Sequence, residues 1–293
     1  MKPVLKTIVI LSLSAGCSLS GEKKTNSAAS PKAIGLESRS AKAGAADDPA
    51  VIERETLKKF AECNATLSKM FNSHSMDWDA YERAVRAKIN DFPTLRSRDI
   101  VGNVYGDMMT LMWHYERRNP EKTGALAREV IGSSAPERFK SRAKGYLRRM
   151  DALGRPLVIQ FTAPDGREAD STKMRGKVVL VDFWSSTCPG CIRDLPKLKA
   201  AYDKFHVQGF EIIGICCDTG TDKKVLQRFV TRKEIPGLQF FESSPEDENR
   251  FVQEYGICHI PHMMLLDKEG CLREDNVEAT SEFETKVARL LAE

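Results

Sequence analysis

Long apolar runs are scarce in this chain, and that scarcity sets the first limits. The stretch Thr7–Leu13 near the N-terminus is far shorter than the roughly 20 apolar residues that cross a bilayer. Charge of one sign is also lacking. The net charge is only +4 over 293 residues, and no Lys/Arg-rich block is interleaved with aromatics, so nucleic acid is not an expected partner. A second CxxC is missing, and Cys216, Cys217, Cys258, His259 and His262 fit no common zinc spacing, so no metal is expected. No cofactor is called for either. No fixed-period repeat stands out, which argues against a tetratricopeptide assignment and leaves a small bundle or a helical-hairpin array.

The N-terminus reads as an address. Lys2 and Lys6 precede the apolar run, which ends in Ser14-Ala15-Gly16-Cys17, similar to a bacterial lipobox. Ser14 stands where Leu is usual, and an ordinary signal peptide cleaved nearby is the alternative. The expectation is a protein outside the cytoplasm, in the periplasm or cell envelope, held to the membrane by lipid on Cys17. Residues 18–49 are rich in Ser, Ala, Lys and Gly and read as a flexible linker.

Residues 50–153 read as an all-α domain. Leu57, Phe60, Leu67 and Phe71 form one stripe, and Trp78, Tyr81, Val85 and Ile89 recur at 3-4-4 spacing before Pro93. Further helices are expected over 100–115, 120–131 and 136–153. Nine Lys/Arg against four acids between 121 and 155 read as a solvated face, or as one that approaches anionic headgroups or an acidic partner.

The chemistry begins at Val178-Val179-Leu180-Val181-Asp182-Phe183-Trp184, an apolar run fit for a buried strand, which empties through Ser185-Ser186-Thr187 into Cys188-Pro189-Gly190-Cys191. The following residues read as a helix. A strand that sets Cys188 on the first turn of a helix exposes its sulfur to unpaired N–H groups and the positive end of the helix dipole, which favour a thiolate. Cys188 is the expected attacking thiol, exposed at the cap, and Cys191 the resolving thiol, lying deeper. Pro189 suits the first helical position, and Gly190 adds backbone freedom. Seven cysteines remain if Cys17 is lipidated, an odd number that does not suit a disulfide-stapled scaffold. Cys63, Cys216, Cys217, Cys258 and Cys271 read mainly as packing residues, Cys216 and Cys217 facing opposite sides of a sheet.

Residues 154–293 resemble the thioredoxin superfamily, and within it the TlpA/ResA-like extracytoplasmic thiol-disulfide oxidoreductases. The resemblance rests on the lead-in from Gly176 to Trp184, the CxxC, and Tyr255-Gly256-Ile257-Cys258-His259-Ile260-Pro261 followed by Leu265 to Gly270. It implies a thioredoxin-like α/β fold, a central mixed sheet flanked by helices with an N-terminal hairpin extension. It further implies that Asp182 is a buried acid that takes the proton of Cys191, that Pro261 is the cis-proline facing the dithiol, and that Trp184, Ile260 and Pro189 shape the docking surface. Either His259 or His262, as an imidazolium, would stabilise the Cys188 thiolate and make the protein more oxidising; surface histidines without a redox role are the alternative. The implied partners are disulfide-containing client proteins and a membrane thiol electron donor. Reduction of clients, as in cytochrome c maturation, leads over an oxidase or isomerase, and a non-enzymatic helical adaptor is the reading of another class. The reversed dipeptide Pro189-Gly190 leaves the potential open between about −270 and −120 mV.

Overall fold

The computed structural model describes residues 49–73, 75–92, 98–242 and 249–293. Cys17 and the linker lie outside them. Two compact units emerge, divided between Ile100 and Val101. No helix among the described residues is long and apolar enough to cross a membrane.

The first unit contains α1 (Pro49–Phe71) and α2 (Trp78–Asp91). Asp77 caps α2 by accepting from the Ala80 N–H, as its residue type favours. Phe60 and Leu67 of α1 are buried, as are Tyr81 and Val85 of α2, whereas Leu57 is exposed. Lys88 is also buried, its ammonium 4.9 Å from the Phe60 ring centre. That cation–π contact explains why a lysine shares an apolar face.

The second unit opens with α3 (Arg98–Glu116), α4 (Pro120–Gly132) and α5 (Glu137–Asp151). Asn119 caps α4 and Pro120 fills its first position. A small hairpin follows, β1 (Gln160–Thr162) against β2 (Glu168–Asp170). Next come β3 (Val178–Trp184), α6 (Pro189–Phe205), β4 (Phe210–Cys216), α7 (Lys223–Lys233), β5 (Leu238–Phe241), α8 (Arg250–Glu254), β6 (His262–Leu266), β7 (Leu272–Val277) and α9 (Phe283–Ala292).

The five strands β3 to β7 form one mixed sheet in the order β5-β4-β3-β6-β7. β3, β4 and β5 run parallel, and β6 and β7 complete the sheet antiparallel. This is the thioredoxin-like architecture expected. Every residue of β3 is buried, and all but Asp182 are apolar, as suits a central strand covered on both faces. Its alternation sorts the core: Val179, Val181 and Phe183 join one cluster, Val178 and Leu180 the other.

The region before the sheet is helical, as expected, and α3 to α5 share one compact unit with the sheet. The junction is stitched to β7: the Gly154 N–H donates to Leu272 O at 2.8 Å, and Pro156 bridges to Cys271. α5 lies so near α8 that a Cβ at Gly145 would meet the backbone of Gln253, Glu254 and Gly256. Two of the nine cations in the basic stretch, Arg142 and Arg149, are buried, so that stretch is not wholly a solvated face. Helical periodicity shows which face is apolar but not what covers it.

The close approach makes a prediction. Gly145→Ala must push α5 off α8 and should cost about 1–3 kcal/mol, the range for overpacking, read as a lower urea midpoint. Gly106→Ala in α3 has open space at the same atom and should leave stability level or raise it by up to about 1 kcal/mol.

Candidate active site

β3 ends at Trp184, and three residues carry the chain to Cys188, which caps α6 with extended backbone at φ −84° and ψ 108°. That conformation turns the side chain back over the helix start. The Cys188 Sγ accepts a hydrogen bond from the Cys191 N–H at 3.1 Å. Pro189 has no N–H to offer, so its place at the first position costs nothing. Cys188 and Cys191 are joined as a disulfide with their Cα atoms 5.3 Å apart. The intervening loop is braced: the N–H and hydroxyl of Ser186 both bond the Asp218 carboxylate beyond β4, and Ser185 Oγ accepts from the Thr187 N–H.

Burial departs from expectation. Cys188 is 1% exposed and Cys191 8%, so the capping sulfur is the more enclosed of the two. Bonded to Cys191, it sits in the apolar cluster that also contains Trp184 and Ile260. The exposed neighbours are Thr187 and Pro189. Ile260 is wholly buried, and Trp184 nearly so, its indole N–H donating to Gln239 Oε1 at 3.0 Å and its ring stacked on Phe229. Neither side chain is exposed, and both lie in the apolar cluster that contains the two cysteines. Pro189 alone of the three expected docking residues is exposed.

The Ile260–Pro261 peptide is cis. Pro261 is half-buried, and a Cβ built on Gly190 would stand 3.1 Å from its Cδ. The glycine in the reversed dipeptide therefore makes room for the proline loop, a reason different from backbone freedom. A Cβ there would require Pro261 to give by a few tenths of an ångström.

Asp182 lies on β3, buried, two residues before Trp184. Burial, with a smaller push from the Asp194 charge, lifts its carboxyl to about 7. A group with that affinity exchanges protons near neutrality, as a proton acceptor for a resolving thiol requires.

The two histidines are not at the surface. His259 and His262 are both buried, with rings 5.2 Å apart. Burial, then repulsion from His262 and Arg149, holds His259 well below its ordinary value, so it is neutral and supplies no imidazolium. Around them the fold gathers residues from distant elements: Glu116 of α3, Arg149 of α5, and Asp275 and Asn276 of β7. Arg149 pairs with Glu116, lies 3.4 Å from Asp275, and approaches His262 Nε2 at 2.5 Å. The trio Glu116, His259 and His262 brings three potential ligand atoms within 4.8 Å of one another. Arg149 already places a fixed positive charge among them, so the donor set suits a guanidinium better than an added cation. Sequence reasoning missed Glu116, Arg149 and Asp275; nothing in a helical charge pattern marks which cation turns inward.

The remaining cysteines are spread out. Cys216, Cys217 and Cys258 are buried free thiols and Cys271 a half-buried one, and Cys63 is half-buried. Cys216 and Cys217 both join the apolar cluster that contains Trp184.

A parallel β3-α6-β4 unit with a dithiol at its helix cap and a cis-proline across from it defines a thioredoxin-like redox domain. Residues 156–275 match the AhpC/TSA family. The thiol-disulfide oxidoreductase ResA of Geobacillus thermodenitrificans is 29% identical over 40% of this chain and 68% of its own. ResA of Halalkalibacterium halodurans is 30% identical over 39% of this chain and 62% of its own. The chain thus spans about two thirds of the length of these relatives. A thioredoxin domain of a Bacteroides vulgatus thiol-disulfide oxidoreductase aligns with 47% of this chain and 97% of that one, at 22% identity and a TM-score of 0.41. The C-terminal half of the chain is a thioredoxin-like domain, similar in sequence to thiol-disulfide oxidoreductases.

Asp182 yields a prediction with a defined sign. Its folded carboxyl binds a proton more tightly than the unfolded one, so this group weakens the fold progressively as pH rises from about 4 through 7. Holding it at about 7 instead of 3.8 costs up to about 4 kcal/mol above pH 7. Asp182→Asn should raise the urea midpoint at pH 8 and change it little at pH 4. It should also slow release of mixed disulfides by Cys191. An unchanged midpoint at pH 8 would show that Asp182 is not buried as described.

Proposed function

We propose that this protein is an extracytoplasmic reductase of client disulfides. The Cys188 thiolate attacks one sulfur of a client disulfide, forming a mixed disulfide and releasing the other client sulfur as a thiolate. Cys191 then passes its proton to Asp182 and attacks Cys188 Sγ. The second client sulfur leaves, and Cys188–Cys191 closes as the disulfide, two electrons having moved to the client. A membrane thiol donor restores the dithiol, and lipid on Cys17 keeps the protein near that donor.

The observation that carries this reading is the Cys191 N–H aimed at Cys188 Sγ, with a carboxyl titrating near neutrality on the preceding strand. Reduction is favoured over oxidation because the neutral His259 removes one of the positive charges that would have stabilised the thiolate and raised the potential. The name shared by the matched relatives supports thiol-disulfide chemistry for the domain and leaves the client open.

Two measurements test it. The Cys188–Cys191 couple should equilibrate with dithiothreitol near thioredoxin's value of about −270 mV; a value near −120 mV makes the protein an oxidant. Cys191→Ser should accumulate mixed disulfides with envelope proteins, and Cys188→Ser should accumulate none. A Cys188→Ser protein that retains its cellular role would point instead to a helical adaptor.

A further inference from the structure

We propose that Arg149 and Glu116, from helices that precede the thioredoxin-like domain, are positioning residues for thiol-disulfide exchange: they hold the cis-proline loop over the dithiol so that a polypeptide strand can dock there. This rests on the reductase reading above.

The loop meets the helices on both sides of Pro261, through packing at His259 and through a polar contact at His262. His259, two residues before it, has its Nδ1 3.7 Å from Glu116 Oε2 and its ring centre 5.7 Å from that of Trp113 in α3. His262, the residue after it, lies between Arg149 Nη1 at 2.5 Å and Asp275 Oδ1 at 3.0 Å. Asn276 closes the cluster by donating to Glu116 Oε2 at 3.5 Å. Arg149 is therefore the hub, touching α3, β6 and β7 from α5. Its position sets where the residues flanking Pro261 sit, and Pro261 in turn packs on Gly190 between the two cysteines. A shift of the loop changes the dithiol's cover without altering either sulfur.

The cluster is poorly suited to stability alone. Arg149 Nε, His259 Nδ1 and His262 Nδ1 are buried without a hydrogen-bond partner among the described residues. A partly satisfied polar network is worse for stability than an apolar core of equal volume. Buried charges of this kind are better explained by the single arrangement they enforce. Here that arrangement is of the one loop that meets both the dithiol and an incoming chain. Strand pairing by a client uses loop backbone, whereas a small disulfide needs only the sulfur.

That difference supplies the test. The full-length protein and its Arg149→Met, Arg149→Lys and Glu116→Gln variants are reduced, freed of reductant and mixed in single turnover with insulin or with 5,5′-dithiobis(2-nitrobenzoate), the second-order rate constant being read as kcat/KM. Arg149→Met should lose about tenfold in kcat/KM on insulin, in keeping with the cost of a misplaced docking element, and less than about twofold on the small disulfide. Arg149→Lys should recover part of the loss, and Glu116→Gln should fall between. An insulin-to-small-disulfide ratio within about twofold of the unaltered protein overturns the positioning role, as does an equal loss on both substrates. If Arg149→Met does not fold, Glu116→Gln carries the same comparison; if neither unfolds cooperatively, the cluster is a folding staple and the proposal falls. Failure of the unaltered protein to reduce either disulfide removes the reductase reading itself, which separates the two failures.

Discussion

The hydrogen bond from the Cys191 N–H to Cys188 Sγ depends on a single joint, the passage from β3 into α6. Around that joint the rest of the second unit is arranged. β3 is buried on both faces because β4 and β6 flank it and helices cover it, so its end is fixed in space. Asp218 ties the turn to the end of β4. Pro261 closes it from the side of β6. A helix start presents its free N–H groups in a set direction, and the sheet decides what stands in that direction. The reactive geometry is thus a property of the sheet as much as of the four residues Cys188 to Cys191.

Much of this was legible in the chain itself. The alternation inside Val178–Trp184, the dithiol after it, and the apolar runs of β4 and β6 carry enough pattern to place strands within a residue or two. Asp182 was readable as buried because an acid inside an apolar strand has no solvent to face. What escaped the sequence has a common cause. The enclosure of Cys188, the inward turn of Arg149 and the union of α3 to α5 with the sheet all depend on which surfaces meet. Periodicity reports only that a face is apolar. Gly190 illustrates the point: its residue type signalled freedom, yet Pro261 across from it sets the demand.

The helices before the sheet take on a different meaning once Glu116 and Arg149 are located. A charge pattern that suits a solvated surface along most of α5 conceals two arginines that point inward. Long basic side chains tolerate this when carboxylates meet them, and Arg149 meets Glu116 and Asp275. The energetic return of such pairing is small or negative against desolvation. Their consequence is geometric, because three separately folded segments must agree on one position for a planar guanidinium.

The two aspartates of the sheet, Asp182 buried and Asp275 half-buried, show how the same side chain serves opposite ends. Burial acts on both in the direction of the neutral acid. Asp182 has no cation to oppose it, and the Asp194 charge adds to the effect, so its carboxyl rises to about 7. At Asp275 burial is outweighed by the Arg149 guanidinium and by His262, and the carboxyl stays well below the usual carboxylate range. A proton is therefore available for exchange at β3 and absent at β7. Arg149 makes that difference: by holding Asp275 ionised it fixes a charge that anchors the proline loop, while the strand beneath the dithiol is left without one and keeps its acid free to titrate. A cation of that kind beside Asp182 would hold its carboxyl ionised and so remove the proton acceptor.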